Sequence, residues 1–430
     1  MFSKLITLTL LSGVVRSASL PNVPGAVFGP SPSPFELEVG PGFIANVYDR
    51  VLHARAPIPI DGLSPADTDG PELSDFNKVR DFWLHEYDWN RTQQSINEKF
   101  KQFTTTVESP QSNYSHPVPL HFVHHQSPRT DAFPLLFIHG WPGSFLEVEH
   151  IIDRLTNPPN SSLPAFHVVA PSIPGFGFSP APQYAGYGPL EAAHSFNSLM
   201  AQLNYTKYLI NGGDFGGVIL RYQANAYPEN VVSALSNFWV TRPNATDYAR
   251  FAANTTTPDE TRYLSAMNSF VTESSGYRFV QQTQPLSLAY SLADSPLGFA
   301  LWIWALIRHS LDPTTAVGSS FSAQEIITWS MMYTIQGPYG GLRFYKENRR
   351  EGSFEGFGFG TLPYVSQPVA ISEFPHDILF DLPLDWAQRD GNVQARYVHT
   401  HGGHFAAYEV PELLAQDLWT WFGSLLQNVA

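Results

Sequence analysis

The chain has 430 residues, 43% of them hydrophobic and 14% aromatic, and a formal net charge of −14. That length and apolar content build a large folded core and exclude a disordered chain. The acidic balance and the lack of any Lys/Arg run exclude a nucleic-acid footprint, and without cysteine there is no disulfide and no thiolate metal ligand.

Residues 1–19 follow the pattern of an export signal: Lys4, an apolar run from Leu5 to Val15, then the small residues Ser17-Ala18-Ser19. The run is too short to span a bilayer, so a secreted protein without membrane association is expected. Glycosylation sequons at Asn90, Asn113, Asn160, Asn204, Asn244 and Asn254 suit the same route. A Pro-, Gly- and Ser-rich lead-in over 20–34 passes into a mixed region that ends near Ser115. A helix is predicted there from Asn77 to Tyr87, with Phe82, Trp83, Tyr87 and Trp89 as apolar anchors on a larger body.

A regular series follows. Strands are predicted at Leu120–His124, Leu135–Ile138, Phe166–Ala170, Tyr208–Ile210, Val231–Leu235, Val369–Ser372 and Ala395–Val398. Helical segments separate most of them, which predicts an α/β fold with a mainly parallel sheet flanked by helices. Residues 240–350 interrupt the series with a helix-rich, aromatic insertion, read as a lid that divides the core into 116–239 and 351–430. Leu301, Trp302, Trp304 and Leu306 are read as lid core rather than substrate contacts, and either role would enlarge an apolar pocket.

Gly212-Gly213-Asp214-Phe215-Gly216 has the spacing of a nucleophile elbow, with aspartate in place of serine. A serine that opened an alkyl electrophile would form an ether, which a histidine-activated water cannot cleave. A carboxylate forms an ester, whose carbonyl carbon belongs to the protein and is open to water. Asp214 therefore points to displacement at saturated carbon followed by hydrolysis; by itself the motif also fits a glycine-rich turn with a capping aspartate.

Two later segments supply partners. His404, in Gly402-Gly403-His404-Phe405, and Asp377, in Phe374-Pro375-His376-Asp377, each follow a predicted strand, in the chain order nucleophile, acid, histidine. His404 would activate water and Asp377 would orient its ring, with Asp381, Asp385 and Glu373 as rival acids. His139-Gly140-Trp141-Pro142-Gly143 follows another strand, and the N–H groups of Trp141 and Phe215 form the expected oxyanion pair. His121, His124 and His125 lie close together, but strand geometry does not converge them on a metal, and neither a metal nor a cofactor is expected.

These segments resemble the microsomal-type epoxide hydrolases of the α/β-hydrolase superfamily. The resemblance rests on the His139–Phe145 run, the elbow, and Gly402-Gly403-His404-Phe405-Ala406-Ala407. It implies an N-terminal meander over residues 35–115, seen in Phe82-Trp83 and Phe100-Lys101-Gln102-Phe103, which offers an interface for a homodimer. It further implies epoxide and water as substrates. Two lid tyrosines then act on the epoxide oxygen: Tyr277, in Ser275-Gly276-Tyr277, and Tyr345, in Arg343-Phe344-Tyr345-Lys346-Glu347-Asn348. A phenol stays protonated at neutral pH and can serve as the acid. Phe215 stands where the family usually carries tryptophan, which changes pocket packing but leaves the backbone donor in place. The alternatives are a haloalkane dehalogenase, which also uses an elbow aspartate, and a carrier of small apolar ligands on a hydrolase scaffold.

Overall fold

Polar side chains with distant partners shape the first hundred residues as much as apolar pattern does. The computed structural model describes residues 20–60, 69–109, 114–356 and 358–426; the expected export signal and the Asn113 sequon lie outside them. Its strands are β1 (Ser33–Phe35), β2 (Gln102–Val107), β3 (Val118–His125), β4 (Phe133–Ile138), β5 (Phe166–Pro171), β6 (Tyr208–Gly212), β7 (Val231–Ser236), the short hairpin β8 (Phe354–Glu355) and β9 (Gly358–Phe359), then β10 (Val365–Glu373) and β11 (Gly391–Val398). One nine-stranded sheet runs β1-β2-β3-β5-β4-β6-β7-β10-β11.

From β5 to β11 every neighbouring pair is parallel, whereas β1, β2 and β3 join antiparallel at one edge. The parallel strands are covered on both faces, which is why Leu135–Ile138 and Val168–Ala170 read as unbroken apolar runs and are buried along their length. Each predicted strand falls inside an observed one. β2 was not predicted, because Thr104-Thr105-Thr106 shows no apolar alternation. Its threonine hydroxyls donate to Val27 O at 2.6 Å, Gln202 Oε1 at 2.9 Å and Phe28 O at 2.9 Å, all remote in sequence.

The predicted helix over Asn77–Tyr87 runs from Leu73 to His85. It starts earlier because Glu72 and Asp75 form a reciprocal capping box. Helices Pro41–Leu52 and Trp89–Lys99 flank it. From the second of these, Asn97 and Gln93 accept the backbone N–H groups of Leu37 and Val39 at 2.9 and 2.8 Å, tying the lead-in to the helices. Trp83 and Trp89 are buried, while Phe82 and Tyr87 pack half-buried against the core. Trp83→Ala should therefore lower unfolding free energy by about 3–5 kcal/mol, the usual cost of emptying a buried aromatic site, read as the shift of a denaturant midpoint.

Eight helices lie between Ala245 and Glu351, within the connection from β7 to β8, alongside a π-helical turn, Phe270–Ser274. They stand over the carboxyl ends of the parallel strands, where open parallel sheets place their crevices.

Candidate active site

Asp214 sits at the junction of β6 and the helix Phe215–Ala226, with φ 49° and ψ −122°. A non-glycine residue held in the left-handed region costs energy and persists only where the surroundings enforce it. The enforcement is visible. A Cβ on Gly216 would overlap the carbonyl oxygen of Ile138, and one on Gly140 would overlap the Asp214 side chain itself. Glycine at both places lets the elbow press against the end of β4.

The Asp214 carboxylate has two distinct oxygens. Oδ1 accepts the Trp141 N–H at 2.8 Å, and the Phe215 N–H also acts on this group. Oδ2 faces His404 Nε2 at 3.7 Å, too long for a direct hydrogen bond. Burial raises the Asp214 pKa, and the charge of His404 with the two backbone donors works against that rise.

His404 Nδ1 is 2.6 Å from Asp377 Oδ1, an oxygen that also accepts the Ile378 N–H at 2.6 Å. The rival acids are committed elsewhere: Glu373 pairs with Arg396 and Asp381 with Arg262, while Asp385 lies in the first turn of the helix Leu384–Ala387. The loop carrying His404 is clamped by buried acids, since Gly402 N donates to Asp312 Oδ2 and Gly403 N to Glu409 Oε2, both at 2.8 Å. Burial alone would lower the His404 pKa. The charge and hydrogen bond of Asp377, joined by the charges of Asp214 and Glu147, outweigh it and hold the ring at about 9.

Tyr277, on the helix Gly276–Thr283, and Tyr345, on the helix Tyr339–Glu351, meet over this arrangement. Their ring centroids are 6.0 Å apart. Tyr277 stacks on Trp141 at 5.6 Å and 14°, and Tyr345 meets Trp141 edge-on at 5.5 Å. Phe215 packs against Tyr345 at 4.6 Å and Phe344 at 4.9 Å, so the smaller ring in the usual tryptophan position is fully enclosed. Burial first raises both phenols, Tyr277 to about 12 with the Asp214 charge next, and Tyr345 well above its ordinary value with Tyr277 and then Asp214 adding to the rise. Both remain proton donors across the neutral range.

A cavity of about 530 Å³ opens onto Trp141, Asp214, Tyr277 and His404, a size suited to a small organic molecule. Trp302 and Leu306 also line it. Both also pack, with Leu301 and Trp304, against the hydrophobic core as expected; Trp302 is held at the wall by donating Nε1–H to Gln281 Oε1 at 3.1 Å. Trp304 instead stacks on Phe321 at 5.8 Å. The structure thus brings Asp214, His404, Asp377, Trp141, Phe215, Tyr277 and Tyr345 together at one site.

One member escaped the sequence reading. Glu147, in the turn Phe145–Val148, is buried, and its Oε1 accepts the Gly140 N–H at 3.3 Å. Burial pushes its carboxyl up to about 8, and its charge acts on His404. An acid inside the apolar run Phe145-Leu146-Glu147-Val148 was the available signal. The clustered histidines serve the fold: His121 binds Ser172 Oγ and Gln102 Oε1 at 2.9 and 3.0 Å, His124 meets Tyr205 Oη at 3.1 Å, and His125 accepts the Lys101 N–H at 2.9 Å.

The chain is similar to known proteins over most of its length. Residues 32–148 match the family described as "Epoxide hydrolase N terminus", and residues 134–279 match the α/β-hydrolase fold family. Epoxide hydrolase 1 of Sus scrofa is 30% identical over 434 residues, covering 94% of this chain and 91% of that protein. The structure of Aspergillus niger epoxide hydrolase superposes with a TM-score of 0.77 at 25% identity, over 95% of this chain and 99% of that one. Juvenile hormone epoxide hydrolase of the silkworm Bombyx mori has the same fold, with a TM-score of 0.81 at 24% identity over 94% and 96% of the two chains. An elbow carboxylate facing a His–Asp pair beneath two tyrosines, on this sheet and with these relatives, places the chain in the epoxide hydrolase family of α/β-hydrolase enzymes.

Proposed function

We propose that the chain converts an epoxide and water to a vicinal diol through a covalent ester on Asp214. The observation that carries this reading is the elbow carboxylate beside two phenols: Tyr277 shares the main cavity with it, and Tyr345 meets both at the small recess next to it. With Oδ1 held by the Trp141 N–H, Oδ2 is the attacking atom. It bonds to an oxirane carbon, the C–O bond of the ring breaks, and the departing oxygen takes a proton from the Tyr277–Tyr345 pair. A halide leaving group would need no such proton, so the phenols favour an oxirane over a haloalkane.

Ester formation removes the Asp214 charge, one of the influences holding His404 near 9. The imidazole then yields its proton more readily and becomes available as a base. His404 Nε2 takes a proton from water, the hydroxide adds to the Asp214 carbonyl carbon, and the N–H groups of Trp141 and Phe215 hold the resulting oxyanion. Collapse breaks the ester, and the proton of the added hydroxyl passes to the departing oxygen to release the diol and restore the carboxylate. The imidazolium of the resting site is regenerated, the proton His404 gave up earlier having renewed the tyrosine. Asp377 orients the ring. The helices between Ala245 and Glu351 act as the lid that brings the phenols to the cavity.

Single turnover in ¹⁸O water, with enzyme in excess over styrene oxide, tests the route. The first diol should contain no solvent label, because its second oxygen comes from Oδ2. A labelled first diol would establish direct attack by water and remove the ester from the scheme. Asn90, Asn160, Asn204, Asn244 and Asn254 are all exposed, which supports the reading of an exported glycoprotein. A mass unchanged by endoglycosidase after secretion from a eukaryotic host would count against it.

A further inference from the structure

Next to Tyr277 on the same helix, the Arg278 side chain turns away from solvent into a recess beside the nucleophile. It is 2% exposed. Its guanidinium carbon lies 5.0, 4.9 and 4.8 Å from the ring centroids of Phe270, Phe354 and Phe359. Among the described residues, Nε, Nη1 and Nη2 have no hydrogen-bond partner, and Arg278 enters no ion pair. The recess is tight, about 10 Å³ on the scale that gives the main cavity about 530 Å³, and is bounded by these three rings together with Asp214, Tyr277 and Tyr345.

An arginine keeps its charge even when buried. Aromatic faces offset part of the lost hydration through cation–π attraction, but they accept no hydrogen bond from the planar fork of N–H donors. Buried ions are ordinarily paired. Asp214 does not fill this role, since its Oδ1 is held by Trp141 and its Oδ2 faces His404. What the recess lacks is a compact acceptor with two coplanar oxygens, and a carboxylate supplies that in bidentate form. We propose that Arg278 anchors a carboxylate of the substrate, so that the preferred substrates are compact epoxy acids whose carboxylate lies close to the oxirane. This rests on the epoxide-hydrolase reading above. The Asp214 charge acts on the guanidinium but makes no hydrogen bond with it, and a neutral group such as an amide leaves the fork of N–H donors without a charged acceptor.

The test compares trans-3-phenylglycidate with trans-3-phenylglycidamide, using styrene oxide as the neutral reference. In the unaltered enzyme, kcat/KM for the acid should exceed that for the amide by about 30-fold or more, the worth of a charge-assisted bidentate contact. In Arg278→Met that ratio should collapse toward unity, and Arg278→Lys should restore part of it. Equal kcat/KM for acid and amide in the unaltered enzyme would overturn the proposal. So would an Arg278→Met protein that loses both substrates by one common factor, which would make the arginine a stabiliser of the transition state or of the fold. Calorimetric binding of cinnamate against cinnamamide to the unaltered protein needs no variant and no turnover. Tighter cinnamate binding is expected, and equal affinities would refute the anchor. Failure to hydrolyse styrene oxide and both glycidyl substrates would instead overturn the hydrolase reading, and the calorimetric comparison would still decide on Arg278.

Discussion

His404→Gln protein mixed with styrene oxide should gain the mass of one epoxide and keep it. Glutamine preserves a polar side chain in the Gly403–Phe405 loop but cannot accept a proton from water near neutral pH. Loss of a positioned base slows the hydrolytic half-reaction by about 10²–10⁴-fold. The alkylating half-reaction retains its nucleophile, its two backbone donors and its two phenols, so the ester forms and accumulates. Intact-protein mass spectrometry would show the adduct, and peptide mapping should locate it on Asp214. A second consequence follows from the charges. His404 is the first influence opposing the burial that raises the Asp214 pKa. Removing it lets that pKa rise further, and Asp214 must be ionised to attack. The rate of adduct formation in the variant should therefore need higher pH than single-turnover alkylation of the unaltered enzyme. A His404→Gln protein with full steady-state turnover and no adduct would show that the histidine is not the base.

Replacing both tyrosines, in Tyr277→Phe/Tyr345→Phe, should all but abolish ring opening while leaving ester hydrolysis comparatively intact. Without a proton donor the departing oxygen must leave as a bare alkoxide. Loss of one donor to a developing oxyanion costs about 10²–10³-fold, so each single variant should slow alkylation by about 10²-fold and the double variant by clearly more. Phenylalanine retains the ring, so the stack of residue 277 on Trp141, 5.6 Å between centroids, is kept and the loss is confined to the hydroxyls. Trp141 also provides the readout, since its fluorescence should report occupancy of the site next to it in a stopped-flow single turnover. Equal slowing of alkylation and hydrolysis would place the phenols somewhere other than on the epoxide oxygen.

Much of the site was legible because it is made of backbone constraints written locally. Gly216 and Gly140 are there because a Cβ would overlap Ile138 or Asp214, and that need is written into the sequence at those positions. Asp377 was less secure than His404. Four acids follow β10 or lie near its end, and only the turn at Phe374–Asp377 shows which carboxylate reaches the imidazole. The strands of the parallel sheet were legible for a similar reason, since burial on both faces demands an unbroken apolar run.

Arg278, Glu147 and Trp302 belong to the other category. A charged residue after a tyrosine in a helix reads as a solvated side chain, and nothing within the helix Gly276–Thr283 announces Phe354 and Phe359 some seventy residues later. Glu147 looks like one acid in a turn until Gly140 donates to it. From its amino acids alone this protein declares a carboxylate nucleophile, a histidine and an acid to renew it, and the sheet that presents them, because each depends on local geometry or on periodicity. The neighbours of a buried charge, and hence the pKa values of His404 and Glu147 and the empty fork of Arg278, were settled only by tertiary structure. Electrostatics in a dry interior depends on distances between segments far apart in the chain, and no local pattern records those distances.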